Sequence, residues 1–133
     1  MNRMIFVNLP IKDLAVSRKF YTGLGFTVND QFSDDQCACI VVSDTIFVML
    51  LTANRFKDFS ISPISDAHSS TEVINCLSAE SRQEVDDLYG KALAFGGTPW
   101  KDKMEQGPMY GNSFADPDGH AWEVLYMDMP AES

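Results

Sequence analysis

Positive charge is what this sequence is short of. Ten Lys+Arg stand against nineteen Asp+Glu in 133 residues, a formal charge of −9. A nucleic-acid groove needs clustered cations to displace counterions, so the expectation is no nucleic-acid partner. The same acidic balance is repelled by anionic lipid headgroups. Long apolar runs are missing as well: the longest, Ile46 to Leu51, is far too short to cross a bilayer. The stretch from Met1 to Asn8 lacks the extended apolar core of a signal peptide. Cysteines number three, an odd count that argues against a secreted disulfide framework. With 45% hydrophobic residues, a chain of this length buries one core and is short for two. The expectation is a single soluble, reduced, cytoplasmic domain with no membrane partner.

What is present is orderly. Met4 to Leu9 is rich in β-formers and stops at Pro10. Asp13 caps a predicted helix from Leu14 to about Thr22, with Val16, Phe20 and Leu24 on one side and Gly23 and Gly25 ending it. Phe26, Val28 and Phe32 have strand period, and Cys37–Val42 and Thr45–Leu51 read as a hairpin around Ser43 and Asp44. A serine-rich stretch, about 53–70, reads as a linker with at most a short helical turn. Thr71–Ala79 reads as a strand. Ser81 and Glu84 form a capping box for a helix carrying Val85, Leu88, Tyr89, Ala92 and Phe95 and ending at Gly96–Gly97. Thr98 to about Lys101, Tyr110–Ala115 and Ala121–Met127 supply three more strands, the last two joined by the turn formers Asp116-Pro-Asp-Gly119.

Both halves therefore read β-α-β-β-β, module one over about 1–52 and module two over about 71–127. Leu9 falls on Leu77 and Asp44 on Asp118 when the halves are overlaid, a repeat of element order rather than of residue identity. A four-stranded unit with one helix covers one sheet face, so two units must pair and leave the other face around a cavity or against a partner.

Two stretches resemble a known family. Phe6-Val-Asn-Leu-Pro-Ile-Lys-Asp-Leu14, with Ser17-Arg-Lys-Phe-Tyr21 and Leu24-Gly-Phe26, resembles the opening of the vicinal oxygen chelate superfamily. Phe114-Ala-Asp-Pro-Asp-Gly-His-Ala-Trp-Glu-Val-Leu125 is similar to its closing turn and strand. That superfamily holds glyoxalase I, bleomycin-resistance proteins and extradiol dioxygenases. The nearest resemblance is to its bacterial branch of predicted lactoylglutathione lyases. The resemblance implies an α+β fold in which two βαβββ modules form a U-shaped, barrel-like mixed sheet with helices on the outer face. It also implies a homodimer and a cup holding a divalent cation on four ligands, with a carboxylate moving a proton.

Carried onto this chain, the four ligand positions fall on Phe6, Met49, Ile74 and Glu123. Phenylalanine and isoleucine offer no donor, methionine suits soft metals, and one carboxylate does not hold a catalytic cation. The expectation is therefore no metal and no other cofactor. The exception is a two-residue slip of register that brings Glu72 into the cup beside Glu123.

Glu123 is the candidate catalytic residue, a proton acceptor on an apolar wall. Phe6, Asn8, Phe47, Met49 and Ile74 are candidate ligand contacts on the same face, with Tyr110 and Asn112 near the mouth of the cup. His120 and His68 read as solvent-facing, and Cys37, Cys39 and Cys76 as packing residues. Two functions stay open: a lyase or isomerase binding a small organic molecule, and a ligand- or drug-sequestering protein of the bleomycin-resistance type. A structural module whose cup is filled by its own side chains is the third.

Overall fold

The computed structural model describes residues 2–128. The chain runs β1 (Ile5–Ile11), α1 (Leu14–Gly23), β2 (Thr27–Asn29), β3 (Cys37–Val41), β4 (Ile46–Thr52) and α2 (Ala53–Phe59). It continues through β5 (Ile74–Ser78), α3 (Arg82–Ala94), β6 (Thr98–Pro99), β7 (Met104–Gln106), β8 (Met109–Ala115) and β9 (Ala121–Met127). One sheet has the order β1-β4-β3-β2, the other β5-β9-β8-β6, with β7 also on β8. The fold is α+β, with two mixed sheets and no closed barrel.

The register matches the internal repeat residue for residue. Phe6 pairs with Phe47 across the parallel β1–β4 ladder, and Ile74 pairs with Ala121 across the parallel β5–β9 ladder. These are the places the overlay of the halves equates. Local capping follows the sequence too: the Asp13 carboxylate accepts from Val16 N–H, and Ser81 Oγ accepts from Glu84 N–H. The Glu84 carboxylate reaches one residue further back than a capping box predicts, to Glu80 N–H.

Some elements differ from the sequence reading. The stretch read as linker opens with a two-turn helix, α2, whose first turn is capped by Thr52 Oγ1 on Arg55 N–H. The strand predicted from Phe26 shortens to β2 and closes in a 3₁₀ turn, Asp30–Phe32. β7 falls in a stretch whose charged residues gave no strand signal. No helix among the described residues is long and apolar enough to cross a membrane.

One core joins the two halves. Phe20 and Tyr21 on α1, Ile40, Val48 and Leu50 of the first sheet, Val85 and Ala92 on α3, and Phe114, Trp122 and Val124 of the second form a single buried cluster. Phe20 meets Phe114, and the edge of Tyr21 meets Trp122. The helix-covered faces of both sheets thus point into the same core, and their other faces are turned away from it.

A buried polar latch crosses this core. Tyr21 Oη donates to Asp116 and accepts from Trp122 Nε1, 3.0 Å away. Asp116 also takes the N–H groups of Asp118 and His120, which shapes the β8–β9 turn. Alongside it, Asp118 accepts from Lys12 N–H and from the buried Ser17 hydroxyl. Burial drives the Asp116 carboxyl above its ordinary range, while nearby His120 and the Tyr21 hydroxyl pull it back.

Tyr21→Phe removes one donor from a buried carboxylate and strands an indole N–H, with an expected loss of about 1–3 kcal/mol in denaturant unfolding. A carboxyl with a raised folded pKa contributes stability at low pH that is lost as pH rises through that pKa. Without the hydroxyl the folded pKa climbs further, so the variant's deficit should be larger at pH 7 than at pH 4. An equal deficit at both values would show that Asp116 does not feel the hydroxyl.

Candidate functional site

The alternation of β9 creates the site. Trp122 and Val124 are buried in the core, so Glu123 between them projects from the opposite face. Its cross-strand neighbours on that face are Cys76 on β5 and Ser113 on β8. Ile74, Leu125 and Met127 share the face, which makes it apolar around one carboxylate. The Glu123 side chain is 16% exposed, and Lys101 Nζ lies 3.3 Å from its Oε2.

Lys101 is held there from behind. Ser113 is fully buried; its hydroxyl accepts from Lys101 N–H at 3.1 Å and reaches the Lys101 carbonyl at 3.3 Å. A buried hydroxyl satisfied in both directions fixes that stretch of backbone beside the β8–β9 ladder, so the ammonium starts close to Glu123. Cys76 completes the group. Burial, then the negative charge of Glu123 and its hydrogen bonding, push the thiol up to about 11. It is therefore protonated at neutral pH and a poor nucleophile.

The second wall lies on the first sheet. Phe6 stacks on Phe47 with ring centroids 4.8 Å apart, Met49 follows Phe47 on the same face, and Asn8 Nδ2 donates to the Phe6 carbonyl. This wall also points away from the shared core. The structure groups Phe6, Asn8, Phe47 and Met49 on one sheet and Ile74 and Glu123 on the other.

Other sequence candidates stand elsewhere. Tyr110 and Asn112, expected near the cup mouth, pair with Tyr126 and Val124 on the helix-covered face of β8. There Tyr110 Oη donates to Asp86 at 2.6 Å and its ring lies under Arg82, so α3 holds it. Asn112 Oδ1 accepts from Ser113 N–H. His120 is half-buried rather than solvent-facing: its Nε2–H donates to the Pro10 carbonyl at 2.7 Å, tying β9 to β1. Glu72 precedes β5 and is exposed; the ladder sets Ile74, not Glu72, at the first-strand place. A cavity of about 300 Å³ lies between the segment after α2 and the β1 and β5 strands, lined by Asn8, Phe56, Glu72, Asn75 and His120. Glu123 is not part of it.

Lys101 and Ser113 were not singled out from the sequence. Ser113 was recoverable, because a hairpin register through the Asp116–Gly119 turn sets it opposite Glu123. Lys101 was not, since a cation at the end of a short strand carries no directional signal.

Residues 3–43 match the family model described as bleomycin resistance protein-like N-terminal. No curated protein matches the chain. Among solved structures, the hypothetical protein SA1046 of S. aureus is 28% identical with a TM-score of 0.79, the match covering 95% of this chain and 94% of that one. A glyoxalase-related enzyme from Fulvimarina pelagi gives 0.81 at 18% identity over 100% and 94%. Lactoylglutathione lyase from Agrobacterium tumefaciens gives 0.67 at 17% identity over 95% and 94%. The fold is that of the glyoxalase and bleomycin-resistance proteins. These matches are consistent with the vicinal oxygen chelate superfamily.

The divalent cation that this glyoxalase-type fold implies does not fit the residues present. Its four positions offer one carboxylate, and that carboxylate already faces an ammonium. Among the described residues, no group of three or more His, Cys, Asp or Glu is placed to hold a metal.

Alkylation with iodoacetamide tests the electrostatics of this face. The Cys76 rate should be slow at pH 8 and climb toward pH 11, and Glu123→Gln should speed it roughly threefold to tenfold at pH 8 by removing a charge that favours the thiol. A rate independent of residue 123 would show that the carboxylate does not face Cys76.

Proposed function

We propose that this protein binds a small, partly apolar organic molecule against the Glu123 wall and acts on it as a lyase or isomerase, with Glu123 as proton acceptor. The observation that carries this reading is a single sheltered carboxylate on an otherwise apolar open sheet face. Small-molecule sites have that composition: apolar lining with few polar anchors. The first-sheet wall of Phe6, Asn8, Phe47 and Met49 supplies the other side of the cup. The three thiols are free, in keeping with action in a reducing cytoplasm.

A second copy of the chain closes the cup in this proposal. Among the described residues, β1 and β5 each end a sheet with an edge that has no ladder partner. Apolar residues on and next to those edges are exposed: Ile5 55%, Phe6 48% and Ile74 48%, with Val73 just before β5 at 57%. Unprotected edges of this kind invite pairing with another chain. Setting β1 of one copy beside β5 of another joins the two sheets and turns Phe6 and Met49 toward Glu123.

The reading with no chemistry, a ligand-sequestering protein, is favoured by one observation: the match at residues 3–43 is to a bleomycin-resistance-type model. The two readings part at Glu123→Gln, which leaves binding and abolishes turnover in an enzyme, and leaves no turnover to lose in a sequestering protein.

Sedimentation should show a dimer. Val73→Asp, at the residue just before β5 and outside both walls, should give a monomer with unchanged far-ultraviolet circular dichroism. A fragment screen by saturation-transfer NMR should find ligands for the dimer and at least about tenfold weaker binding to the monomer. Fragments that bind both equally would remove the second copy from the site. Mass spectrometry of the metal content of purified protein should find no stoichiometric divalent cation.

A further inference from the structure

The proposed function leaves Lys101 without a role, although its ammonium is the charge nearest to Glu123. The backbone of Lys101 is held by the buried Ser113 hydroxyl, and Ser113 lies directly across the ladder from Glu123. The lysine side chain is 48% exposed, so it reaches from that anchor along the open face. Its ammonium carries three N–H donors and is paired with Glu123 by charge at 3.3 Å, which leaves donors for a ligand.

We infer that Lys101 takes the place of the missing cation: its ammonium is the electrophile of the site, and the ligand it accepts is a neutral carbonyl compound with an acidic α-hydrogen. The inference rests on the binding reading above and deepens it. The charges on the face explain the ligand class. Lys101 and Glu123 cancel, and the Cys76 thiol is neutral. An anionic ligand reaching the ammonium meets the carboxylate, and a cationic one reaching the carboxylate meets the ammonium. A neutral ketone or aldehyde matches both, with its oxygen at Lys101 and its α-carbon at Glu123.

The step balances without an added reagent. The Glu123 carboxylate takes the α-proton, the electrons of that C–H bond form the C=C bond, and the carbonyl π electrons move onto oxygen. Charge growing on that oxygen is met by an N–H of Lys101, a charge-assisted hydrogen bond that strengthens as the enolate forms. Return of the proton from the Glu123 carboxyl to the same carbon re-forms the ketone and restores the carboxylate, and in D₂O the hydron returned is a deuteron.

The test uses the full-length protein and 1-phenyl-2-propanone in D₂O, with exchange of the benzylic protons followed by proton NMR and binding by saturation transfer. Wild type should bind the ketone and speed exchange over buffer. Lys101→Met and Glu123→Gln should each lose at least about tenfold of that acceleration, while Lys101→Arg keeps most of it. Bound ketone with no faster exchange, or exchange unaffected by Lys101→Met, would overturn the role of Lys101. No binding of the ketone, when the fragment screen finds other ligands, would overturn the ligand class and leave the binding proposal standing.

A second measurement is independent of ligand. If Lys101 stands at the cation's place, Lys101→Glu sets two carboxylates and the Cys76 thiol together, and zinc should bind at least about tenfold more tightly than to wild type by competition with a chromophoric chelator. Unchanged zinc affinity would show that Lys101 stands elsewhere.

Discussion

Everything about the site depends on β9 having two unlike faces. Trp122 and Val124 enter the shared core and Glu123 leaves it, so one strand both joins the halves and presents the carboxylate. The inward face is held by more than apolar contact. Trp122 Nε1 donates to Tyr21, whose hydroxyl donates to Asp116, so the start of β9 and the turn before it are tied to α1. A one-residue slip of β9 would put the carboxylate in the core and the indole in water, losing both sets of interactions at once. The register of the functional wall is therefore as secure as the core itself.

The same face-by-face logic separates what the sequence reveals from what it conceals. β9 was legible to its ends, because its large residues alternate and turn formers precede it. The repeat was legible because two parallel ladders with equivalent registers leave equivalent strands and turns in the chain. β8 was not: Tyr110, Gly111, Ser113 and Phe114 are all buried, so both its faces look interior and alternation carries no direction. Only pairing with β9 assigns Tyr110 and Asn112 to the helix side. α2 was concealed for another reason, since its polar surface hides a helix started by Thr52 capping. His120 shows the limit of reading a turn locally; its partner, the Pro10 carbonyl, is contributed by the other end of the chain.

An ammonium in the role inferred for Lys101 differs in kind from a divalent cation. A divalent ion draws two neighbouring oxygens together and tolerates a dianionic intermediate. An ammonium carries one charge, spread over directional N–H donors, and supports one oxygen. It is also attached to the chain, so its position depends on a backbone held by a buried serine rather than on a set of ligands. In the proposed assembly the apolar Phe6, Met49 and Ile74 would lie over the charge pair, where excluding water raises its strength.

A pair of opposite charges on an open sheet face is weak, because water screens both members. The Lys101 side chain is 48% exposed, so water weakens the pair in a lone copy. Covering the face alters this more than any single substitution in it. With a second wall in place, water leaves, the effective dielectric falls, and the same 3.3 Å pair acts strongly on a ligand held between the walls. Among the described residues the edges of β1 and β5 are unpaired, and in the proposed dimer they supply the means of covering, since the strands that need partners flank the faces that need shelter. In the proposed dimer, assembly and chemistry are linked through that geometry, because the contact that satisfies the strand edges is also the one that dries the site.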